Sequence, residues 1–266
     1  MERYVLRGGR EGFDRLRVLS RAKMASTSAL LDRVGVVPGA RVLDVGCGSG
    51  DVTLELARRA GPSGHVTGLD MNVTNVELAR ALARENGVEG VEFEVRELGD
   101  WHELSSYDIV YCRFVLQHLT DPLGMLTRMW AAVRPGGALV VEDSDFGGLF
   151  CHPPNEGFAF YARTHCDALR RRGGDPEIGR KLLRYFVDVG IQDPLLTVTQ
   201  NVDATGEAKR LAPLTLAGSA DAIVADGVAA RDEVAAALTD LAAFVDDPST
   251  VVGGPRTMQV WARKIG

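Results

Sequence analysis

The sequence predicts an α/β protein with a doubly wound parallel sheet, and three observations support this prediction. Short apolar runs alternate with helical patterns between residues 41 and 145, which is typical of repeated strand–helix–strand units. Turn residues such as Gly61-Pro62-Ser63-Gly64 separate these segments. The first apolar run leads into a glycine-rich turn at residues 46–50, here called the glycine loop, and then into a helix.

The individual elements follow from hydrophobic periodicity and turn residues. Strands are predicted over residues 41–46, 65–70, 91–96, 107–113 and 138–143, and helices over 52–60, 73–86 and 122–133. Two later segments, 195–202 and 257–264, have high β-propensity with partial alternation, so they are also predicted as strands.

The remaining segments divide the chain into four parts. Residues 1–36 are predicted to form a helical arm or cap, and residues 37–145 the core that binds the ligand. Residues 146–174 are rich in aromatic residues and histidine and follow the fifth strand, so they are predicted to be a substrate lid. Residues 175–266 complete the core, with a helical insertion at 205–247 that is either a further lid element or a homodimer surface.

The composition is that of an ordinary globular protein. The chain has 266 residues, 45% hydrophobic and 25% charged, which suits one large domain. A formal net charge of −6 gives no electrostatic footprint for nucleic acid. Neither a membrane-spanning run nor an apolar signal core is present, so we expect a cytoplasmic protein without membrane association. Four cysteines in so long a chain do not indicate a disulfide framework.

The glycine loop allows two interpretations. A dinucleotide site requires Gly-x-Gly-x-x-Gly, so that a pyrophosphate can approach the helix N-terminus. Here Gly46, Gly48 and Gly50 alternate, Asp51 follows, and Asp44 ends the strand before them. Two carboxylates disfavour a diphosphate and favour a ligand with positive charge. S-adenosylmethionine, with its sulfonium and α-amine, fits this description.

The end of the second strand supports an adenosine ligand. Asp70 lies twenty residues after Gly50, the distance at which an acidic residue meets ribose hydroxyls. Met71 offers a soft apolar surface for an adenine face. Asp70 is alternatively a helix N-cap, because aspartate is a favoured cap residue.

The stretch from residue 41 to 145 resembles the class I S-adenosylmethionine-dependent methyltransferases. The matching motifs are Val42-Leu-Asp-Val-Gly-Cys-Gly-Ser-Gly50, Gly68-Leu-Asp70, Tyr107-Asp-Ile-Val110, Leu116-Gln-His-Leu-Thr-Asp-Pro122 and Arg134-Pro-Gly-Gly-Ala-Leu-Val140. The resemblance implies a Rossmann-like sheet of seven strands with an antiparallel last strand at 257–264. It also implies cofactor contacts at Asp44, Gly46, Cys47, Gly48, Gly50, Asp70, Met71, Glu97, Leu98 and Arg113.

The N-terminal arm resembles a subgroup of this family. Tyr4, Gly8-Gly9 and the segment 12–16 resemble an arm that folds over the cofactor. Arg15 is a candidate partner for the cofactor carboxylate, because guanidinium and carboxylate pair in a bidentate manner. The alternative for Arg15 is a solvated helix face.

Candidate groups for chemistry follow the fourth and fifth strands. His118 is the candidate general base, with a structural role in backbone hydrogen bonding as the alternative. Asp143 is a candidate for orienting an acceptor, or else a loop anchor. Substrate contacts in the lid are predicted at His152, Phe158, Tyr161 and His165. No metal site is predicted, because Cys151-His152 and His165-Cys166 lack the usual zinc-ligand spacings.

These features predict an S-adenosylmethionine-dependent methyltransferase for a small-molecule acceptor. The resemblance points to a specialised metabolite or quinone-like compound, with O-methylation favoured and N- and C-methylation left open. A protein that binds the cofactor but catalyses another step, such as a cyclisation, is the first alternative. A nicotinamide-dependent oxidoreductase is the second. Nucleic-acid substrates are not expected, since the chain lacks an Asn/Asp-Pro-Pro-Tyr motif.

Overall fold

Strands and helices alternate between residues 41 and 145, as predicted. The computed structural model of the chain describes residues 5, 6 and 9–266. Its strands are β1 (Arg41–Val45), β2 (His65–Asp70), β3 (Val91–Val95), β4 (Tyr107–Arg113), β5 (Val133–Asp145), β6 (Phe150–His152), β7 (Leu195–Thr199), β8 (Val202–Asp203), β9 (Val251–Gly253) and β10 (Arg256–Arg263). Its α-helices are α1 (Gly9–Val34), α2 (Asp51–Ala60), α3 (Val73–Glu85), α4 (Pro122–Ala132), α5 (Glu156–Arg171), α6 (Leu182–Asp188), α7 (Leu211–Ala225) and α8 (Arg231–Asp246).

Seven strands form the central mixed sheet, in the order β3-β2-β1-β4-β5-β10-β7. The neighbours among β1 to β5 are parallel, whereas β10 is antiparallel to both β5 and β7. This confirms the predicted doubly wound sheet with an antiparallel last strand. The strand order reverses between β1 and β4, and in such sheets a crevice opens at the carboxyl ends of the strands on either side of this point.

A second, smaller sheet corrects one predicted strand. The segment 195–202 does not form a single strand, because β7 belongs to the large sheet and β8 to a three-stranded sheet with β6 and β9. At the break between them, the Gln200 side-chain amide donates to the carbonyl oxygens of Gly148 and Gly254, at 2.6 and 2.8 Å. The small sheet therefore joins the segment after β5 to the segment before β10.

The second half of α1 is part of the core. Leu30, Leu31 and Val34 are buried and pack in one hydrophobic cluster with Val42 of β1 and Trp261 of β10. Burying a side chain of this kind contributes roughly 1.5–3 kcal/mol. The packing fixes the second half of α1 on the sheet. Residues of the first half line a cavity at the carboxyl ends of the strands.

Helices α5, α7 and α8 form a separate helical layer. Their buried residues share one hydrophobic cluster, which includes Phe158, Leu169, Leu216 and Phe244. The two segments predicted separately as lid and insertion, 146–174 and 205–247, thus pack on each other. A homodimer surface on the second segment stays a prediction.

Candidate active site

A cavity of about 360 Å³ lies at the carboxyl ends of β1, β2 and β4. The glycine loop and the start of α3 form one wall, the first half of α1 a second, and α5 with α7 a third. The cavity brings together most of the predicted site residues, namely Arg15, Asp44, Gly46, Cys47, Gly48, Asp70, Met71, Leu98, Arg113, His118, Phe158, Tyr161 and His165.

The glycine loop needs glycine most strictly at residue 46. Gly46 has φ +74°, and a Cβ atom on it would lie 2.3 Å from Cγ2 of Val115. The Gly46 and Cys47 amides donate to the Leu69 carbonyl oxygen at 2.7 and 2.9 Å. These amides therefore hold the loop against β2.

Gly50 does not line the cavity, contrary to the prediction. A Cβ atom on Gly50 would lie 2.9 Å from Ala79 and 3.1 Å from the ring of Phe93. Gly50 is the N-cap of α2 and has φ +78°. This glycine lets α2, α3 and β3 approach one another, so its role is helix–sheet packing.

Asp70 links the glycine loop to the loop after β2. Its two carboxylate oxygens accept the Gly48 amide at 2.9 Å and the Asn72 amide at 2.8 Å. The N-cap of α3 is Asn72, whose side chain accepts from the Asn75 amide at 3.1 Å. The N-cap alternative for Asp70 is therefore wrong. Burial raises the pKa of Asp70.

The two acidic residues that flank the glycine loop have different environments. Asp44 is buried in the cavity wall and accepts the Thr53 hydroxyl at 2.6 Å. Burial raises the pKa of Asp44 to about 6. Asp51 instead accepts the Ser49 hydroxyl at 2.6 Å and lies 3.7 Å from the Arg17 guanidinium. Of these two residues, Asp44 is therefore the one that can meet a charged ligand in the cavity.

One face of α1 forms the second wall. Gly12, Arg15, Leu16, Leu19 and Lys23 line the cavity at helical spacing. Arg15 is only 8% exposed, so the solvated-face alternative is wrong. The predicted contributions of Tyr4 and Gly8 lie outside the described residues.

Lys23 is a cavity residue that the sequence analysis missed. It is 2% exposed, and among the described residues its Nζ has no hydrogen-bond partner. Burial, with the neighbouring charge of Arg113, lowers the pKa of Lys23 to about 8. The sequence carries one usable signal, since Lys23 falls on the same helical face as Arg15.

Arg113 joins the end of β4 to α1. Its guanidinium donates to Thr27 Oγ1 at 3.0 Å and to Ser20 Oγ at 2.9 Å. Thr27 also donates to Glu142 at 2.8 Å, and Glu142 accepts from the Tyr111 hydroxyl and, at 2.7 Å, from the Gln259 amide. These residues, here called the buried polar cluster, fix the cavity-lining face of α1 relative to the sheet.

Aromatic and imidazole rings from α5 and the segment before it line the far end of the cavity. The His165 ring centroid lies 5.1 Å from that of Phe146 and 5.9 Å from that of Tyr161. Phe158 meets Tyr161 edge to face at 5.9 Å. Burial lowers the pKa of both His118 and His165 to about 3, and the charge of Arg15 acts in the same direction. Both imidazoles are therefore neutral at pH 7.

Besides Gly50, three predicted site residues lie outside the cavity. Asp143 is fully buried and accepts the Ser144 amide at 2.8 Å and the Gln117 amide at 3.2 Å, so it is a loop anchor. The alternation of β5 places Ser144, its neighbour, in the cavity wall. His152 ends β6 and is exposed, and the exposed Glu97 also lies outside the cavity.

Asp143→Ala is expected to destabilise the fold by about 1–3 kcal/mol, because buried amide N–H groups lose their acceptor. Asp143→Asn keeps one acceptor oxygen and should lose less. Urea unfolding of the two variants and the parent chain measures the difference. Equal stability of all three proteins would contradict the loop-anchor role.

Metal ligation and membrane insertion find no support in the described residues. The histidines and cysteines at 151–152 and 165–166 form no cluster there that could hold a metal ion. All four cysteines are free thiols. Within residues 5–6 and 9–266, the helices lack the combination of length and apolar character that crossing a bilayer requires.

The fold and the loop geometry define a Rossmann-like protein with a methyltransferase arrangement of strands. The family model described as a methyltransferase domain matches residues 37–172, about half of the chain. The chain belongs to this family of S-adenosylmethionine-dependent methyltransferases, and S-adenosylmethionine is its cofactor.

Individual relatives match parts of the chain. An uncharacterized 37.1 kDa transposon protein of Streptomyces fradiae is 36% identical over 186 residues, which are 68% of this chain and 52% of that protein. A ubiquinone biosynthesis O-methyltransferase of Aeromonas salmonicida is 35% identical over 117 residues, 42% of this chain and 47% of that enzyme. The chain thus spans about half the length of these curated relatives.

Solved structures share the fold over most of the chain, and one of them is a cyclase. The crystal structure of the 4+2 cyclase SpnF has a TM-score of 0.55 and 17% identity, and the match covers 91% of this chain and 82% of the cyclase. At this identity the likeness concerns the fold alone.

The cavity fits S-adenosylmethionine on two observations. Asp44 contributes a buried carboxylate to the cavity wall, which is a suitable partner for an ammonium group. Asn75 lines the cavity beside Asp70, and its buried Oδ1 has no hydrogen-bond partner among the described residues, which leaves an acceptor for a ribose or adenine donor.

Proposed function

We propose that the protein transfers a methyl group from S-adenosylmethionine to an oxygen atom of a small, largely apolar acceptor, such as a specialised metabolite or quinone-like compound. The observation that supports this most directly is one continuous cavity, which runs from the glycine loop to the aromatic side chains of α5. The kinship with a ubiquinone biosynthesis O-methyltransferase supports the same class of acceptor.

The cofactor end of the cavity comprises Asp44, Asp70, Met71 and Arg113. Asp44 would pair with the ammonium group, Asp70 and Asn75 would accept from the ribose, and Met71 would pack on the adenine. When bound, S-adenosylmethionine supplies a methyl group on a positively charged sulfur, which becomes a neutral sulfide once the carbon bonds to a nucleophile.

The acceptor end comprises Phe146, Phe158, Tyr161, His118 and His165. Their rings would exclude water and hold an apolar acceptor in an orientation close to that of attack, which is where much of the rate of such a reaction arises. His118 would serve as a hydrogen-bonding group for the acceptor. With a pKa near 3 it is a weak proton acceptor, so a role as general base is disfavoured.

The test combines binding with transfer. Isothermal titration calorimetry with S-adenosylhomocysteine should show binding, and incubation with methyl-labelled S-adenosylmethionine should label hydroxylated aromatic acceptors in a panel that includes amines. Binding without transfer to any acceptor would favour the non-methylating alternative. Tight binding of a nicotinamide dinucleotide, with none of S-adenosylhomocysteine, would overturn the proposal.

A further inference from the structure

Lys23 places a buried primary amine in the cavity with nothing to bind. Its Nζ has no hydrogen-bond partner among the described residues, and Lys23 is only 2% exposed. An isolated buried charge is expensive, and proteins retain one where a ligand or a change of protonation compensates it. Lys209 illustrates the ordinary solution, because its equally buried ammonium donates to the Asp247 carbonyl oxygen at 2.6 Å.

The charged neighbours of Lys23 do not satisfy it. They come from three elements: Arg113 at the end of β4, Glu142 on β5 and Asp203 on β8. Glu142 already accepts from Thr27, Tyr111 and Gln259 in the buried polar cluster. Asp203 lines the cavity, as Lys23 does, and is not hydrogen-bonded to it.

The position of Lys23 separates it from Asp44 and Asp70, two of the proposed cofactor contacts. Asp44 and Asp70 end β1 and β2, on one side of the point where the strand order reverses. The neighbours of Lys23 lie on the other side, at β4, β5 and the small sheet. Of these neighbours Arg113 is also a proposed cofactor contact, whereas Glu142 and Asp203 are not, so the amine lies where the cofactor end of the cavity would meet the acceptor end.

We propose that Lys23 binds an acidic hydroxyl of the acceptor and takes its proton, which makes phenols and enols the substrate class of this site. The proposal rests on the proposed methyl transfer to oxygen. The neutral amine accepts the hydroxyl proton and becomes an ammonium ion, while the oxygen keeps the electron pair of the O–H bond and becomes the nucleophile. The proton leaves Nζ to solvent after the methylated product departs.

The pKa of Lys23 is consistent with this role. With a value lowered to about 8 by burial and by Arg113, the amine is present in both protonation states around neutral pH. Asp203 and Glu142 act in the opposite direction and limit the shift. Once protonated, the Lys23 ammonium group pairs with the acceptor oxyanion that the proton transfer leaves.

The test uses 4-nitrophenol as the probe, because its ionised form absorbs at a longer wavelength than the neutral phenol. With saturating S-adenosylhomocysteine, the bound probe should have its pKa lowered by about one unit in the parent protein, the size expected for a nearby cation. Lys23→Met and Lys23→Gln should abolish this shift, whereas Lys23→Arg should keep it. Lys181→Met removes an exposed lysine paired with Asp175 and serves as the matched control.

The outcomes are separable. An unshifted or unbound probe on the parent protein, or an equal shift in both neutral variants, overturns the assignment of Lys23. Loss of S-adenosylhomocysteine binding in the folded neutral variants, measured by calorimetry, would also overturn it by assigning the amine to the cofactor. Failure of the parent protein to bind S-adenosylhomocysteine would instead contradict the proposed function.

Discussion

Gly46→Ala is expected to destabilise the fold by roughly 3 kcal/mol and to weaken binding of S-adenosylhomocysteine by about a hundred-fold or more. The new Cβ atom would lie 2.3 Å from Val115 Cγ2, in a backbone conformation with φ +74° that alanine rarely adopts. Either Val115 or the loop must move, and both line the cavity. Thermal unfolding and isothermal titration calorimetry measure the two effects.

Gly87→Ala is the matched control for this substitution. Gly87 has φ +60°, and nothing lies within 4 Å of a Cβ atom placed on it. It therefore shares the backbone strain of Gly46 without the overlap, and a loss of about 1–2 kcal/mol is expected with unchanged affinity for S-adenosylhomocysteine. If both variants lost the same affinity, the overlap with Val115 would not be the cause.

Asp44→Asn is expected to raise the stability of the ligand-free protein and to lower its affinity for S-adenosylhomocysteine. The pKa of Asp44 is raised from 3.8 to about 6 in the fold, so the folded protein binds more protons than the unfolded chain between these values. Stability therefore falls as pH rises through this window, and above it the buried carboxylate costs roughly 3 kcal/mol. Asparagine removes that cost and retains an acceptor for Thr53.

The loss of affinity follows from the same charge. Without the carboxylate, a charge-assisted hydrogen bond to the ligand ammonium is lost, which corresponds to about 1.5–3 kcal/mol. In the parent protein the affinity should also fall as pH drops below 6, since Asp44 becomes protonated, and this dependence should vanish in the variant. Calorimetry between pH 5 and about pH 7.5 tests both statements. Asp51→Asn should change neither the affinity nor its pH dependence, because the Asp51 side chain faces away from the cavity.

The parts of the fold that the sequence predicts well have strong local signals. The strand, loop and helix around the glycine loop follow from an apolar run, three closely spaced glycines and an amphipathic helix. All of these lie within about twenty residues of one another. The placement of Asp70 at the end of β2 follows for the same reason.

The parts that it predicts poorly depend on contacts between distant segments. Whether Asp143 or Ser144 faces the cavity depends on which face of β5 the neighbouring elements cover, and residue type does not reveal that. His152 joins a small sheet whose partner strand lies a hundred residues further along the chain. Lys23 resembles any lysine of an amphipathic helix until α1 is docked on the sheet.

The buried polar cluster has a consequence for how the cavity can open. Arg113 and Glu142 hold α1 at Ser20 and Thr27, which follow the stretch of α1 that covers the glycine loop. A rigid outward swing of the whole helix would break these bonds in a dry environment, at a cost comparable to local unfolding of the core. Release of the first turns of α1, before Ser20, would open the cavity and leave the cluster intact. Fraying of these first turns is therefore the less costly way to open the cavity, because the remaining turns keep their bonds to the sheet.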